Sequence, residues 1–201
     1  MIYESHVTVT GADVDAFKSA CSELGVRPLL IELQSRVGGV YEQLMSSNEY
    51  EASSPGAAID AAVVLGGQFV DRGFSVSRVK VETVPENPIV PTHKNGGPFS
   101  EGQYLETHFK TETTEYDALR AAAVLAQRLS YNVKVHVSRS AWSSTHRYLT
   151  MRSRQHLETH RIMEDFVRGI VVLGYGLTVT KETTECGVHD SNHSLDAEWT
   201  R

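Results

Sequence analysis

Two short patterns in this sequence pair a glutamate with a histidine two residues later. Glu4 and His6 form the first pair, and Glu106 and His108 form the second. Successive side chains of a β-strand point to opposite faces, so both members of each pair share one face of a strand. Histidine titrates near neutral pH, and with a carboxylate beside it could serve as a general acid or base. The same groups are also ligands for zinc and other first-row metals.

Further matches at a similar spacing indicate that the chain contains two copies of one unit. Identity between the copies is low, but the order of the matches is the same and their spacing stays close to 100 residues, which is typical of an internal repeat. The matching segments are 14–18 with 116–120, 45–47 with 151–153, and 73–74 with 174–175.

Each copy predicts the element order βαββαβ. Hydrophobic residues at helical spacing, alternating strands and turn residues set the boundaries. One such unit forms a four-stranded antiparallel sheet with both helices on one face, the ferredoxin-like arrangement. We therefore predict an α+β protein of two tandem ferredoxin-like modules related by a pseudo-two-fold axis. The predicted parts are a first module at 1–84, a linker rich in Pro and Gly at 85–103, a second module at 104–186 and a polar C-terminal tail at 187–201.

Alternation along the strands also predicts which polar residues lie on the open sheet faces. Lys80 and Glu82 share such a face with the first Glu-x-His pair, Lys110 lies beside His108, and Glu182 is the expected counterpart of Glu82. If the open faces meet, or join as one larger sheet, these residues gather in one place. The candidate metal ligands are then His6, His108, Glu82 and Glu182, which makes a divalent metal a candidate cofactor. The alternative is a face on which these charges only pair with each other.

A local excess of positive charge predicts an anion site. The formal net charge is −6, yet six basic residues and one acid lie between Lys134 and Arg161. Arg152 and Arg154 are expected where the second helix of the second copy begins, and such an end favours phosphate or carboxylate groups. Trp142 lies in a polar loop, where it could stack on a ring or pack onto the linker.

One strand resembles part of a known signature. His6-Val7-Thr8-Val9 is similar to half of the signature of the two-histidine phosphoesterases, in which two related lobes each give a His-x-Thr/Ser strand to a central cleft. The matching strand reads His108-Phe109-Lys110-Thr111, with Lys110 where the hydroxyl belongs. The His and Glu pairs also resemble the vicinal oxygen chelate metalloenzymes. Those have βαβββ modules, whereas a helix is predicted here over 59–70.

Composition excludes several classes of protein. No apolar run approaches the roughly 18 residues of a membrane span, and the N-terminus lacks the pattern of a secretory signal. Two cysteines, Cys21 and Cys186, cannot form a disulfide framework. An acidic chain is not expected to coat nucleic acid. We expect a cytoplasmic protein with reduced thiols and no membrane partner; the oligomeric state is left open.

These patterns favour a small-molecule enzyme whose ligand lies between the modules and is anionic, with a phosphorylated molecule as one candidate. The reaction class closest to the resemblance is hydrolysis of a phosphoester. The predicted acid–base groups are His6, His108, Glu4 and Glu106, and the predicted ligand-binding residues are Arg152, Arg154, Lys80, Lys110 and Trp142. The alternative is a non-catalytic ligand-binding or assembly module.

Overall fold

The structure is a computed structural model of the 201-residue chain. It describes residues 1–34, 40–95, 99–100, 102–113, 115–130, 133–192 and 195. The predicted C-terminal tail therefore lies partly outside the described residues.

The first half of the chain contains four strands and two helices. They are β1 (Ile2–Thr10), α1 (Val14–Leu24), β2 (Arg27–Gln34), β3 (Val40–Glu51), α2 (Pro55–Asp71) and β4 (Ser75–Thr83).

The second half follows after the proline-rich segment. Its elements are β5 (Tyr104–Glu112), α3 (Tyr116–Leu129), β6 (Val133–Ser140), β7 (His146–Ser153), α4 (Leu157–Gly169), a π-helical turn (Ile170–Gly174) and β8 (Val179–Asp190). The described part of the segment between the halves contains no helix or strand.

Local sequence signals account for the helix ends. The Asp13 carboxylate accepts a hydrogen bond from the Ala16 amide at the start of α1, and Gly25 ends that helix with φ +69°. Ser54 caps α2 in the same way, and Pro55 occupies its first turn, where no backbone donor is needed.

The eight strands form one closed antiparallel barrel in the order β1-β3-β2-β6-β7-β5-β8-β4. Each half contributes four adjacent strands. Two pairings join the halves: β2 with β6 through Ile31–Leu33, and β4 with β8 through Lys80–Thr83. The mixed α+β class, with a large antiparallel sheet and four helices, is thus confirmed. The open faces join edge to edge and curve until they enclose a common interior, which removes free sheet edges.

The hydrophobic cores lie outside the barrel, between its wall and the helices. In the first half, Phe17 of α1 stacks on Phe69 of α2 with ring centroids 5.2 Å apart. In the second half, α3 and α4 pack on Phe109, Leu149 and Met151, all fully buried. Since the helix side of each strand buries its apolar residues, alternation turns the polar residues toward the barrel interior.

Strand β8 extends to Asp190, four residues into the segment that the sequence suggested as a tail. Gly187, His189 and Asp190 of this extension, together with Cys186 before it, pair with β4 and help to close the barrel. At Gly187, an added Cβ would lie 2.9 Å from the Tyr104 ring. The absence of a side chain at this position therefore makes room for Tyr104.

We expect Gly187→Ala to lower the free energy of unfolding by about 1–3 kcal/mol, because the new methyl group overlaps a buried ring. Chemical denaturation measures this change. Gly67→Ala in α2 is the matched control: nothing lies within 4 Å of its added Cβ, and alanine should stabilise the helix by roughly 0.5–1 kcal/mol. Equal stability of Gly187→Ala and the wild type would contradict the close packing.

Candidate functional site

The barrel encloses a cavity of about 420 Å³ that both halves line. Every strand contributes inward-facing side chains to it. Arg27, Trp142 and Lys181 line the cavity and are exposed, so it reaches solvent. An interior of this size suits one small ligand.

Both Glu-x-His pairs face this cavity, as alternation predicts. In the first pair, the Nε2 atom of His6 lies 3.2 Å from Glu82 Oε2 and 3.7 Å from Glu4 Oε1. The Nδ1 atom lies 3.2 Å from the Ser46 carbonyl oxygen, which can only accept a hydrogen bond. Acceptors on both sides favour the doubly protonated form of the ring.

The second pair is held less tightly. The Nε2 atom of His108 lies 3.6 Å from both Glu106 Oε1 and Glu185 Oε2. Its Nδ1 atom lies 2.9 Å from the Thr150 hydroxyl, which can donate or accept. The side chain is 31% exposed, against 15% for His6. His108 can therefore adopt either protonation state without losing its hydrogen bond to Thr150.

Lys80 joins the two pairs across the boundary between the halves. Its ammonium group lies 2.6 Å from Glu82 Oε1 and 3.1 Å from Glu106 Oε2. Glu106 Oε2 also accepts a 2.8 Å hydrogen bond from Arg152. A continuous series of charges thus runs from His6 through Glu82, Lys80 and Glu106 to His108.

The opposite charges in this series shift one another's pKa values so that the charged form of each group is favoured. Burial would raise the pKa of Glu82, but the charge of Lys80 and the hydrogen bond with His6 outweigh it and hold the pKa at about 2. Burial is likewise outweighed at Glu106, whose pKa Arg152 and Lys80 hold well below its ordinary value. Both carboxylates are therefore ionised at neutral pH.

The pKa values of the two histidines and of Lys80 are raised instead of lowered. Burial would lower the pKa of His6, but its hydrogen bond with Glu82 and the charges of Glu82 and Glu4 raise it overall. At His108, burial is outweighed by Glu185 and Glu106, and the pKa is again raised. Lys80 has a pKa well above its usual value because Glu106 and Glu82 outweigh the effect of burial.

Two lysines in the lining have no described anionic partner. Lys110 of β5 and Lys181 of β8 are direct cross-strand neighbours, and no carboxylate of the described residues forms an ion pair with either. Like charges side by side repel, and an anion between them would relieve the repulsion. This is the arrangement expected of an anion-binding position.

The structure places the predicted anion-binding residues differently. Arg152 lines the cavity from β7, not from the start of a helix, and it lies over the Tyr104 ring at 4.0 Å. The expected placement of Arg154 beside it is wrong: Arg154 is exposed and donates to the carbonyl oxygens of Phe99 and Ser100. Strand β7 ends at Ser153, so Arg154 lies beyond it and alternation no longer directs its side chain into the cavity.

The expected placement of Glu182 on the interior face is also wrong. It points outward and forms a two-pronged ion pair with Arg168 of α4, with N–O distances of 2.7 and 2.8 Å. The inward carboxylate of β8 is Glu185, opposite Glu106. The β5–β8 register shifts between Lys110 and Thr111, and this irregularity changes which residues face inward. The sequence offset between the two copies therefore assigned Glu182, instead of Glu185, as the counterpart of Glu82.

Sequence reasoning also missed Tyr104, Asp190 and Arg78 as a group. Arg78 forms a buried ion pair with Asp190, and the Tyr104 hydroxyl donates to Asp190 Oδ2 at 3.4 Å. Burial raises the pKa of Tyr104, so its phenol stays protonated. The signal was weak, because Asp190 falls in a segment with the composition of a loose tail.

A separate buried polar cluster lies on the outer side of the barrel wall. The Thr107 hydroxyl donates to Glu164 Oε1 at 2.5 Å and lies 2.8 Å from His160 Nε2, while Ser153 lies 2.7 Å from His160 Nδ1. Burial lowers the pKa of His160 to about 4, so it is neutral. The cluster fastens α4 to the strand that carries Glu106 and His108.

No metal centre is formed by the described side chains. Among them, no group of three or more His, Cys, Asp and Glu residues is arranged to hold a metal ion. Within the same part of the chain, no helix is long and apolar enough to cross a membrane.

Comparison with known proteins finds only distant similarity. No protein-family model matches the chain, and no curated protein matches it significantly. Some solved structures have a distantly similar backbone trace. One is a heme-binding protein from Thermus thermophilus, which is 10% identical over 92% of this chain and 90% of that chain, with a TM-score of 0.32. A mutant chlorite dismutase from Candidatus Nitrospira defluvii is 11% identical over 98% and 94%, with a TM-score of 0.32. A microcompartment protein from Desulfitobacterium hafniense is 12% identical over 92% and 93%, with a TM-score of 0.31. Scores this low transfer no function.

We expect the stability of the protein to fall as the pH rises above about 6.5. The pKa of His6 and His108 is raised in the fold, so their protonated forms stabilise it below the pKa of an unfolded histidine, and this contribution is lost as the pH rises through the folded values. Melting temperatures from pH 5 to 9 measure it. The double variant His6→Gln/His108→Gln should have a flatter profile, whereas His146→Gln, outside the cavity, should keep the wild-type slope. An unchanged slope in the double variant would refute this assignment.

We expect Lys80→Met to destabilise the protein by about 3–5 kcal/mol, because it leaves two carboxylates buried without the cation between them. The loss should shrink at low pH, because without the charge of Lys80 the pKa values of Glu82 and Glu106 rise and the variant can take up protons there. Urea denaturation at pH 7 and pH 4 tests both statements. Lys134→Met, at an exposed position outside the cavity, is the control and should change stability by less than about 0.5 kcal/mol. An equal, small effect of both substitutions would show that the charges do not depend on Lys80.

Proposed function

We propose that the protein binds a small anionic molecule inside the barrel and exchanges a proton with it through His108. The observation that carries this proposal is the His6–Glu82–Lys80–Glu106–His108 series, which lies in a cavity lined by both halves. Perturbed ionisable groups converging on a concave site are typical of ligand-binding and catalytic centres.

The charge of the lining supports an anionic ligand. Six basic side chains and four carboxylates line the cavity, although the whole chain carries a net charge of −6. Lys80 and Arg152 are engaged by Glu106, which leaves Lys110 and Lys181 as the positions best suited to the anion. The basic members are Arg27, Arg78, Lys80, Lys110, Arg152 and Lys181, and the acidic members are Glu4, Glu82, Glu106 and Glu185.

The two histidines are suited to different tasks. His6 has acceptors on both ring nitrogens, which favours its charged form and leaves neither nitrogen free to exchange a proton with a ligand. His108 is more accessible and keeps its hydrogen bond to Thr150 in either protonation state, so it acts as the general acid or base. Glu106 and Glu185 orient His108 and stabilise its protonated form. A phosphate group on the ligand could pair with the same lysines as a carboxylate group.

The proposed site also fits a duplicated origin. We infer that the two halves are copies of one βαββαβ unit, each of which supplies a Glu-x-His strand to the common interior. Differences between the copies, such as Thr8 against Lys110, would have given the cavity a cationic side. An asymmetric site on a symmetric frame is the expected result.

The Thermus thermophilus protein binds haem, but His6 is not suited to be an axial ligand of haem in this cavity. An axial histidine must offer iron a free nitrogen lone pair, whereas both nitrogens of His6 have acceptors as neighbours. The apolar faces of a porphyrin would also lie against Lys80, Glu82 and Glu106. A small anion meets neither obstacle.

Isothermal titration calorimetry with inorganic phosphate and with acetate tests the proposal. We expect at least one of these anions to bind the wild type. Lys181→Ala should weaken binding about fivefold or more, because it removes one of the two ammonium groups that form no ion pair with the described carboxylates. Lys134→Ala is the matched control and should bind as the wild type does. Binding that survives Lys181→Ala and Lys110→Ala unchanged would contradict this anion position.

Repeating the titration in buffers with different ionisation enthalpies counts the protons exchanged on binding. The wild type should exchange protons, and His108→Gln should remove most of this exchange while His146→Gln leaves it intact. If anions bind but His108→Gln changes no proton count, the protein is a binding module without acid–base chemistry at His108.

A further inference from the structure

The two sides of the cavity differ in chemistry. In the barrel order, β2 lies directly across from β8 and β3 lies across from β5. The β5 and β8 side carries Lys110 and Lys181. A ligand that spans the interior therefore meets cations at one side and the side chains of β2 and β3 at the other.

The side formed by β2 and β3 is apolar. Leu29, Ile31 and Leu33 of β2 face the cavity, and Met45 pairs with Leu29 from β3. These side chains do not belong to the cores that pack against the helices. Trp142 continues the surface toward solvent, 47% exposed, with the Lys18 ammonium group 5.6 Å from its ring centroid. Apolar surface that faces an open, charged cavity is favourable only when something apolar covers it.

One polar group interrupts this apolar side. Gln43 pairs with Ile31 across β2 and β3, lines the cavity and is only 9% exposed. Its side-chain amide therefore lies at the surface of the cavity, where a ligand can contact it. A nearly buried amide that offers both a donor and an acceptor is the usual means of fixing the orientation of a ligand.

We propose that the ligand is an aromatic or similarly flat apolar molecule that carries its anionic group at one end and a hydrogen-bonding substituent at the other. This inference rests on the anion site proposed above. The anionic group lies at Lys110 and Lys181, the flat body lies against Leu29, Ile31 and Met45, and the substituent reaches the Gln43 amide. The cavity volume of about 420 Å³ accommodates such a molecule.

Three probes separate these features: acetate, 2-naphthoate and 6-hydroxy-2-naphthoate, titrated into the full chain. We expect 2-naphthoate to bind at least about tenfold more tightly than acetate, because its rings cover the apolar side. The hydroxyl group should add roughly threefold or more through the Gln43 amide. The neutral 2-naphthamide should bind more weakly than 2-naphthoate, because it lacks the charge.

Two variants assign the effects to residues. Gln43→Leu keeps the size of the side chain and should abolish the preference for the hydroxylated probe. Leu29→Asn should weaken both naphthoates about fivefold or more and leave acetate unaffected. Leu173→Asn, the same substitution at a residue that is 87% exposed, is its control. Circular dichroism verifies the fold, and Gln43→Leu still tests the orientation if Leu29→Asn does not fold.

The possible failures are distinguishable. Equal affinity for acetate and 2-naphthoate would overturn the flat apolar body while leaving the anion site intact. A hydroxyl preference that persists in Gln43→Leu would overturn the orientation. Binding of 2-naphthamide as tight as that of 2-naphthoate, or failure of every anion including inorganic phosphate to bind, would overturn the proposed anion site and this inference with it.

Discussion

The structure depends on a buried cation between two buried carboxylates. Lys80 lies between Glu82 of its own strand and Glu106 of the other half, so the ion pair between Lys80 and Glu106 forms only when the halves meet. Removing charges from water costs several kcal/mol per ion unless counter-charges and hydrogen bonds compensate. Closure of the barrel brings those partners together. The arrangement that holds the halves together is therefore the same one that sets the protonation states of the site.

Each strand faces a hydrophobic core on its outer surface and the cavity on its inner surface. Apolar residues on the outer surface pack beneath the helices and supply the hydrophobic stabilisation, which leaves the inner surface free to vary in chemistry. Tyr104 shows how closely the remaining interior is packed. Its ring lies beside Gly187, where no larger residue fits, and the guanidinium group of Arg152 lies over the same ring. The cavity is the space left between such groups and the apolar side chains of β2 and β3.

The two halves repeat an architecture but not a site. His6 is enclosed by acceptors, whereas His108 is more open and has a hydroxyl neighbour; the cationic pair belongs only to the second half and most of the apolar side only to the first. Because the barrel places β2 and β3 opposite β8 and β5, these differences end up across one cavity from each other. Such polarity suits an elongated ligand bound in a single orientation.

Local properties of the sequence determined the helices, their caps, most strand faces and the two Glu-x-His pairs. Alternation and capping depend on neighbouring residues, so Ser54, His6 and His108 could be placed without knowledge of the fold. Only the tertiary structure decided that the sheets close into one barrel, that Lys80 meets Glu106, and that Glu185 replaces Glu182. Those outcomes depend on strand register and on pairing between distant segments, and a single irregularity in β8 reverses which side chains face inward. The residue types of the interior were thus determined by the sequence alone, whereas their relative positions were determined by closure of the barrel.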